Sequence, residues 1–302
     1  MTTILIAGGT GLIGQHLSRM LRERNYRVLH LSRTKDLDAE FPAYHWDLQR
    51  GELDLDALER ADYVINLAGA GIADKLWTNS RRKVIIDSRV DGTLLLREGI
   101  LKVNSKPRAY IAGSANGIYG DRGDQWLPET AEPGEGFLAE TTVIWEQAID
   151  KLKSTGVRLA AVRTGIVLST QGGAFEKMYA PFKFGLGSYF GDGSAYYSWI
   201  HIDDICRMFI HLVENELTGY YNGNAPEPAT VKELAYAIKE VRDKPAIVAP
   251  VPGFALRMGM GEMADVVLSS TRADASKIAA SGFEWKFPEL KPALRNIIDR
   301  QV

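Results

Sequence analysis

The stretch Ile4-Leu5-Ile6-Ala7-Gly8-Gly9-Thr10-Gly11-Leu12-Ile13-Gly14 constrains this chain more than any other. Its first four residues, apolar or small, read as a short buried strand. The glycines that follow reach backbone shapes closed to other residues. Beyond the turn, Ile13, Leu17, Met20 and Leu21 recur at helical spacing, with Gln15, Arg19, Arg22 and Glu23 on the opposite face. The pattern is strand, glycine turn, helix. Gly8, Gly11 and Gly14 stand three residues apart, a spacing that sets free backbone N–H groups and a positive helix end against a pyrophosphate. In this context the motif predicts dinucleotide binding by Gly8, Thr10, Gly11, Leu12, Ile13 and Gly14.

The next strands refine that expectation. Arg27 to Leu31 reads as a second strand, followed by Ser32-Arg33-Thr34. Arg33 stands about 20 residues after Gly14, where an acid would bond the adenosine ribose and an arginine pairs with a 2′-phosphate. Ser32 and Arg33 therefore point to NADP in preference to NAD. The alternative is a solvated arginine, with Asp36 or Asp38 serving the ribose. Tyr44 to Leu48 is a weaker third strand, and Asp47 and Leu48 lie where related folds touch adenine. Tyr63 to Leu67 is a strong buried strand. The small residues that follow it, Ala68-Gly69-Ala70-Gly71, let a ligand approach the backbone, so Leu67, Ala68, Gly69 and Ala70 join the expected contacts.

Lys75 to Arg89 carries Lys75, Arg81, Arg82, Lys83 and Arg89 around Trp77, and reads as a solvated helix with Val84, Ile85, Val90 and Leu94 on its apolar side. Arg108 to Ala112 is a fifth strand, ending in Gly113-Ser114-Ala115-Asn116-Gly117-Ile118-Tyr119-Gly120. Leu138 to Lys153 is a helix with Ile144, Ala148, Ile149 and Leu152 as its stripe, and Arg158 to Leu168 is a long sixth strand. Strands alternating with helices predict an α/β chain built on a Rossmann-type, doubly wound parallel sheet covered on both faces.

After Leu168 the regularity breaks. Gly185, Gly187, Gly191 and Gly193 mingle with Tyr189, Phe190, Tyr196, Tyr197 and Trp199, which suggests a substrate-facing region. Asp203 is placed to cap a helix through Val213, and Thr230 with Glu233 makes a capping box for the next. Tyr220 to Asn222 is a short strand, and Ala255–Met263 and Pro288–Ile298 read as helices. The expected division is a cofactor domain at 1–168, rejoined by about 200–222, and a smaller C-terminal α/β substrate domain from 169–199 and 223–302.

Hydrophobic residues are 45% and charged residues 25% of 302, ordinary for a globular chain. A net charge of −2 offers no attraction to nucleic acid or an acidic membrane, and no apolar run approaches spanning length. The single cysteine, Cys206, leaves no internal disulfide and no thiolate metal cluster, which fits a reducing, cytoplasmic setting. A monomer or homodimer acting on a small molecule is expected, with no metal.

The order of elements resembles the extended short-chain dehydrogenase/reductase superfamily, which includes nucleotide-sugar epimerases and dehydratases. The resemblance rests on Gly8 to Gly14, Asn66-Leu67-Ala68-Gly69, Ile118-Tyr119-Gly120, Trp199-Ile200-His201-Ile202-Asp203-Asp204 and Tyr221-Asn222. Gly71-Ile72-Ala73, Trp77 through Lys83 to Ser88-Arg89-Val90, Gly92-Thr93 and Phe137-Leu138-Ala139-Glu140 with Trp145-Glu146 are similar to its atypical YfcH/SulA-like branch. Arg89, Gly113 and Arg163 complete the expected cofactor contacts. The resemblance implies a Tyr-x-x-x-Lys pair and a hydroxyl residue, yet matching the motifs puts Leu138 at the tyrosine, Thr142 at the lysine and Ala115 at the serine. Leucine exchanges no proton, so an acid or base must come from Ser114, Tyr119, Asp121, Glu140 or His201. Each has a plainer structural use: a backbone bond, core, a turn, a surface charge and a helix start. Two functions follow: an NADP-dependent oxidoreductase or epimerase-like enzyme with a rearranged acid/base, or a non-catalytic NADP-binding sensor or regulator.

Overall fold

Alternation of side chains along β1 (Thr3–Ala7) builds the molecule outward from both faces of one strand. A computed structural model of the chain describes residues 1–300. After β1 come α1 (Leu12–Glu23), β2 (Arg27–Ser32), β3 (Ala43–Asp47), β4 (Glu52–Leu53), α2 (Leu55–Glu59), β5 (Tyr63–Asn66), α3 (Asn79–Lys102), β6 (Ala109–Ala115), β7 (Trp126–Leu127), α4 (Phe137–Asp150) and β8 (Arg158–Thr164). The chain continues through β9 (Ile166–Leu168), α5 (Gly173–Tyr179), β10 (Leu186–Phe190), β11 (Tyr196–Tyr197), β12 (Trp199–His201), α6 (Ile202–Glu214) and β13 (Gly219–Gly223). It ends with β14 (Ala229–Thr230), α7 (Val231–Val241), β15 (Ile247–Val251), α8 (Gly253–Met260), α9 (Asp265–Leu268), β16 (Arg272–Ala273), α10 (Ser276–Ala280) and α11 (Leu290–Asp299).

Among the described residues, eight strands form one sheet in the order β13-β8-β6-β5-β1-β2-β3-β4. Every pairing in it is parallel except that of β4 with β3. The order reverses between β1 and β5, so the turns leaving these strands diverge and open a crevice at their carboxyl ends. Ile4 and Ile6 face one core, with Leu17, Ile65, Ile111, Val162 and Phe209. Leu5 and Ala7 face the other, with Leu29, Val64, Leu96, Tyr110 and Ile149. This is the expected doubly wound sheet with helices on both faces.

Several local expectations change. The long strand over 158–168 is two strands: β8 stays in the main sheet, and β9 pairs with β12. The break falls at Gly165, where a Cβ would lie 2.0 Å from the Ser198 carbonyl oxygen. The basic helix begins at Asn79 rather than Lys75, because the Thr78 side chain accepts from the Arg81 N–H and caps it, and it runs on to Lys102. On α4 Ile144 is exposed and Trp145 takes its place in the core. His201, not Asp203, caps α6, its ring accepting from the Asp203 N–H at 3.0 Å. The Thr230–Glu233 capping box forms as expected. Residues after 168 make short pairs, β10 with β15 and β11 with β14, packed with α7 and α11. Among the described residues no helix is long and apolar enough to cross a membrane.

Candidate functional site

The glycine turn is shaped by contacts that leave no room for a side chain. Gly8 has φ +81°, and a Cβ on it would lie 2.8 Å from the Ala68 nitrogen. Its glycine character lets the turn after β1 touch the turn after β5. A Cβ on Gly14 would sit 2.2 Å from the Gly8 carbonyl oxygen, and one on Gly9 2.4 Å from the His30 ring. Gly11 caps α1 and donates to Gly8 O at 3.0 Å. No side chain caps α1 and no acid stands in its first turn. Its leading amides and positive dipole end are thus open to an anion. Thr10 and Gly11 are exposed there, with Leu12 and Ile13 half-buried beside them.

At the end of β2, Ser32 accepts from the Thr34 N–H and Arg33 projects outward, exposed. Among the described residues the Arg33 guanidinium has no hydrogen-bond or ion-pair partner, while its carbonyl bonds the His45 ring at 3.0 Å. Asp47 accepts from the Gln49 and Arg50 amides and is half-buried with Leu48 at the end of β3.

Asn66 is buried, bonds Tyr110 and accepts from the Ala68 N–H at 3.1 Å, which fixes the Leu67-Ala68-Gly69 turn. Arg89 of α3 lies against that turn: a Cβ on Gly69 would come 3.1 Å from its guanidinium carbon. Its Nη1 donates to the Ala70 and Ile85 carbonyls, and its charge lies 5.2 Å above the Trp145 ring. No carboxylate pairs with it among the described residues. Burial, and then the neighbouring Arg81, lower its pKa to about 10. Arg89 is thus a half-buried cation beside a second cation, with no carboxylate partner among the described residues. Gly113 lies across the same turn, where a Cβ would be 3.3 Å from Asn66 O.

The positions where the resemblance expects a tyrosine and a lysine hold Leu138 and Thr142. A Cβ on Gly117 would lie 3.5 Å from the Leu138 Cβ and 3.9 Å from Thr142 Oγ1. Leu138 and Thr142 thus stand together over the turn after β6. The Thr142 hydroxyl donates to Leu138 O at 2.7 Å.

The other candidate groups sit elsewhere. Ser114 is buried and donates to Glu146 Oε1 at 2.6 Å. Arg163 grips both Glu146 oxygens and donates to the Tyr119 hydroxyl and the Glu129 carbonyl. Tyr119 donates onward to Asn222 Oδ1 at 2.6 Å and is buried, which raises its pKa. Burial opposes the Arg163 charge, but the Glu146 carboxylate overcomes it and raises the pKa. Arg163, an expected cofactor contact, has its donors on Glu146, Tyr119 and the Glu129 carbonyl. His201 is buried, with one ring nitrogen on the Asp203 amide and the other on Asn296. Asp121 accepts from the Gly123 and Ser270 amides. Glu140 is exposed on the first turn of α4. Sequence reasoning gave no role to Glu146 or Asn222. The signal for Glu146 was a lone acid between Trp145 and Ala148 on an otherwise apolar face.

Residues 4–222 match the model of the NAD dependent epimerase/dehydratase family, and residues 251–297 match a domain of unknown function, DUF1731. The Bacillus subtilis "Epimerase family protein YfhF" is 34% identical over 303 residues, covering 99% of both chains. The human epimerase family protein SDR39U1, isoform 2, solved with NADPH, is 30% identical with a TM-score of 0.89 over 99% of both chains. A nucleoside-diphosphate sugar epimerase from Corynebacterium glutamicum is 28% identical, with a TM-score of 0.77 over 97% of this chain and 57% of its own.

Proposed function

This chain belongs to the NAD dependent epimerase/dehydratase family, and from that premise we propose that it binds NADP(H) as an epimerase-like oxidoreductase without a Tyr-x-x-x-Lys pair. The pyrophosphate would lie between the first turn of α1 and Arg89, over Gly8, Gly11 and the Leu67-Ala68-Gly69-Ala70 turn. The residues fit such a group: a side chain at Gly8 or Gly14 would fill the cradle, and Arg89 has no carboxylate partner among the described residues. Asp47 and Leu48 would flank the adenine. One observation supports the 2′-phosphorylated cofactor above all: Arg33 at the end of β2 is exposed and its guanidinium has no partner among the described residues. The human relative solved with NADPH supports the same choice.

When bound, the nicotinamide supplies or takes up a hydride. The chain's part is to orient it and exclude water from the Leu138–Thr142 side. An apolar wall disfavours charged groups there. Of Ser114, Tyr119, Glu140 and His201, Glu140 is the exposed one, so the proton is proposed to come from water or Glu140. Residues 169–199 and 223–302 are proposed to supply the substrate side.

Titration of the purified chain with NADPH, read by nicotinamide fluorescence, tests the reading. Saturable binding is expected, and no binding sinks it. The Leu138–Thr142 pair also favours a second reading, a non-catalytic cofactor sensor. Tight NADPH binding with no turnover on UDP- and dTDP-sugars or on a carbonyl panel selects that one; robust sugar epimerisation refutes both.

A further inference from the structure

Contacts run without a break from the glycine turn to the start of α3. Gly8 packs on the Leu67-Ala68 backbone, and Gly69 packs on the Arg89 side chain. The Ala70 N–H donates to the Ser88 hydroxyl at 3.0 Å, and Arg89 donates to the Ala70 carbonyl. Arg81, about two helical turns earlier on α3, donates to the next carbonyl, that of Gly71. Two arginines of one helix thus hold consecutive carbonyls of the turn that borders the phosphate cradle. Arg81 is mostly buried, its side chain 14% exposed, and its Nε has no hydrogen-bond partner among the described residues. Burial first, and then the Arg81 charge, lowers the Arg89 pKa, so the two cations feel each other.

Asp74 stands where an anion would answer this pair. Its carboxylate lies on Gly71, where a Cβ would be 2.1 Å from Oδ2. The same oxygen is 3.7 Å from Arg81 Nη2, beyond hydrogen-bond reach. The Asp74 side chain is 62% exposed, so the pair is loose and screened by solvent. Other groups hold the loop that carries it. Trp77 Nε1 donates to Ile72 O at 3.0 Å, and Lys177 donates to Ala73 O at 2.7 Å. Removing the Asp74 charge leaves those contacts in place. A phosphate offers several oxygens to a planar guanidinium and binds it better than one distant carboxylate.

We propose that Arg81 is a second cation for the cofactor's pyrophosphate, and that Asp74 occupies it as an internal competitor until the dinucleotide binds. The proposal rests on the cofactor reading above. Fluorescence titrations of the full chain with NADPH and NADH test it. Arg81→Met should weaken both cofactors by about tenfold, because both carry the pyrophosphate. The affinity of 2′-AMP, which has no pyrophosphate, should stay unchanged in that variant when read by displacement of NADPH. Asp74→Asn should strengthen both cofactors by about threefold. That gain should vanish when Arg81→Met is present as well. Circular dichroism checks the fold of each variant. If Arg81→Met unfolds, Arg81→Lys, which keeps the charge but not the planar fork, takes its place with a loss of about threefold. Unchanged NADPH affinity in Asp74→Asn, or a gain that survives in the double variant, overturns the proposal. So does an Arg81→Met loss that 2′-AMP shares, which would mark a collapse of the whole site. No NADPH binding by the unmutated chain removes the cofactor reading and this one with it. NADPH binding that both substitutions leave untouched overturns this proposal alone.

Discussion

Replacing Arg33 by alanine separates the two nicotinamide cofactors with a predictable magnitude. The guanidinium is exposed and carries no other bond among the described residues, so the variant breaks none of their contacts. A hydrogen bond to a charged group contributes about 1.5–3 kcal/mol. Exposure to solvent moves Arg33 to the low end of that range, since water and salt screen the pair. About 1.5 kcal/mol is roughly a tenfold preference for NADPH over NADH. The second ionisation of a phosphate monoester falls near about pH 6, so the preference should be full at about pH 8 and shrink at about pH 5. It should also shrink as salt rises from about 0.1 M to about 1 M, where the screening length falls from about 10 Å to about 3 Å. Fluorescence titrations of both cofactors under these conditions give the four comparisons. In Arg33→Ala the NADPH affinity should fall to that for NADH, which stays unchanged. Equal affinities in the unmutated chain, or a gap that survives Arg33→Ala, would refute the reasoning.

Gly11→Val and Gly14→Ala should part company. A Cβ at Gly11 meets only Gly8 O, at 3.3 Å, so that variant should fold and lose NADPH, whereas at Gly14 the same contact is 2.2 Å and thermal stability should drop; circular dichroism with an NADPH titration distinguishes them. Glu146→Ala should cost about 3–5 kcal/mol in urea unfolding, because it strands Arg163 as a buried unpaired charge, and a loss under about 1 kcal/mol would contradict that account. His30 and His201 are held neutral by burial, each with its pKa lowered to about 4, partly offset by Glu40 and Asp203 respectively. The unfolded chain binds those protons first, so both contributions are complete above about pH 6.5 and should be lost as pH falls towards about 4. Each single His→Gln variant should flatten the stability–pH curve in that window, and an unaltered slope would show that the rings do not titrate as described.

The doubly wound sheet and its first glycine turn were legible in sequence because their signals are local. A strand, three glycines and an amphipathic helix must lie next to one another in the chain to make a pyrophosphate turn, and Arg33 follows at a distance set by one helix and one strand. The absence of tyrosine and lysine at Leu138 and Thr142 could also be read directly, since the two positions lie on one helix turn. The capping box of Thr230 and Glu233 is local in the same way. Tertiary structure decided what depends on partners far apart in the chain. Gly165 breaks a strand only because the Ser198 carbonyl crosses it. Arg163, expected among the cofactor contacts, is drawn inward by Glu146 and Tyr119, 17 and 44 residues away. His201 becomes a helix cap because Asn296 and the Asp203 amide take its two nitrogens. Arg89 is set apart because it lies half-buried beside Arg81 with no carboxylate partner among the described residues. Propensity and periodicity report what a residue prefers, and charge compensation in a buried site depends on which distant groups the fold brings to it.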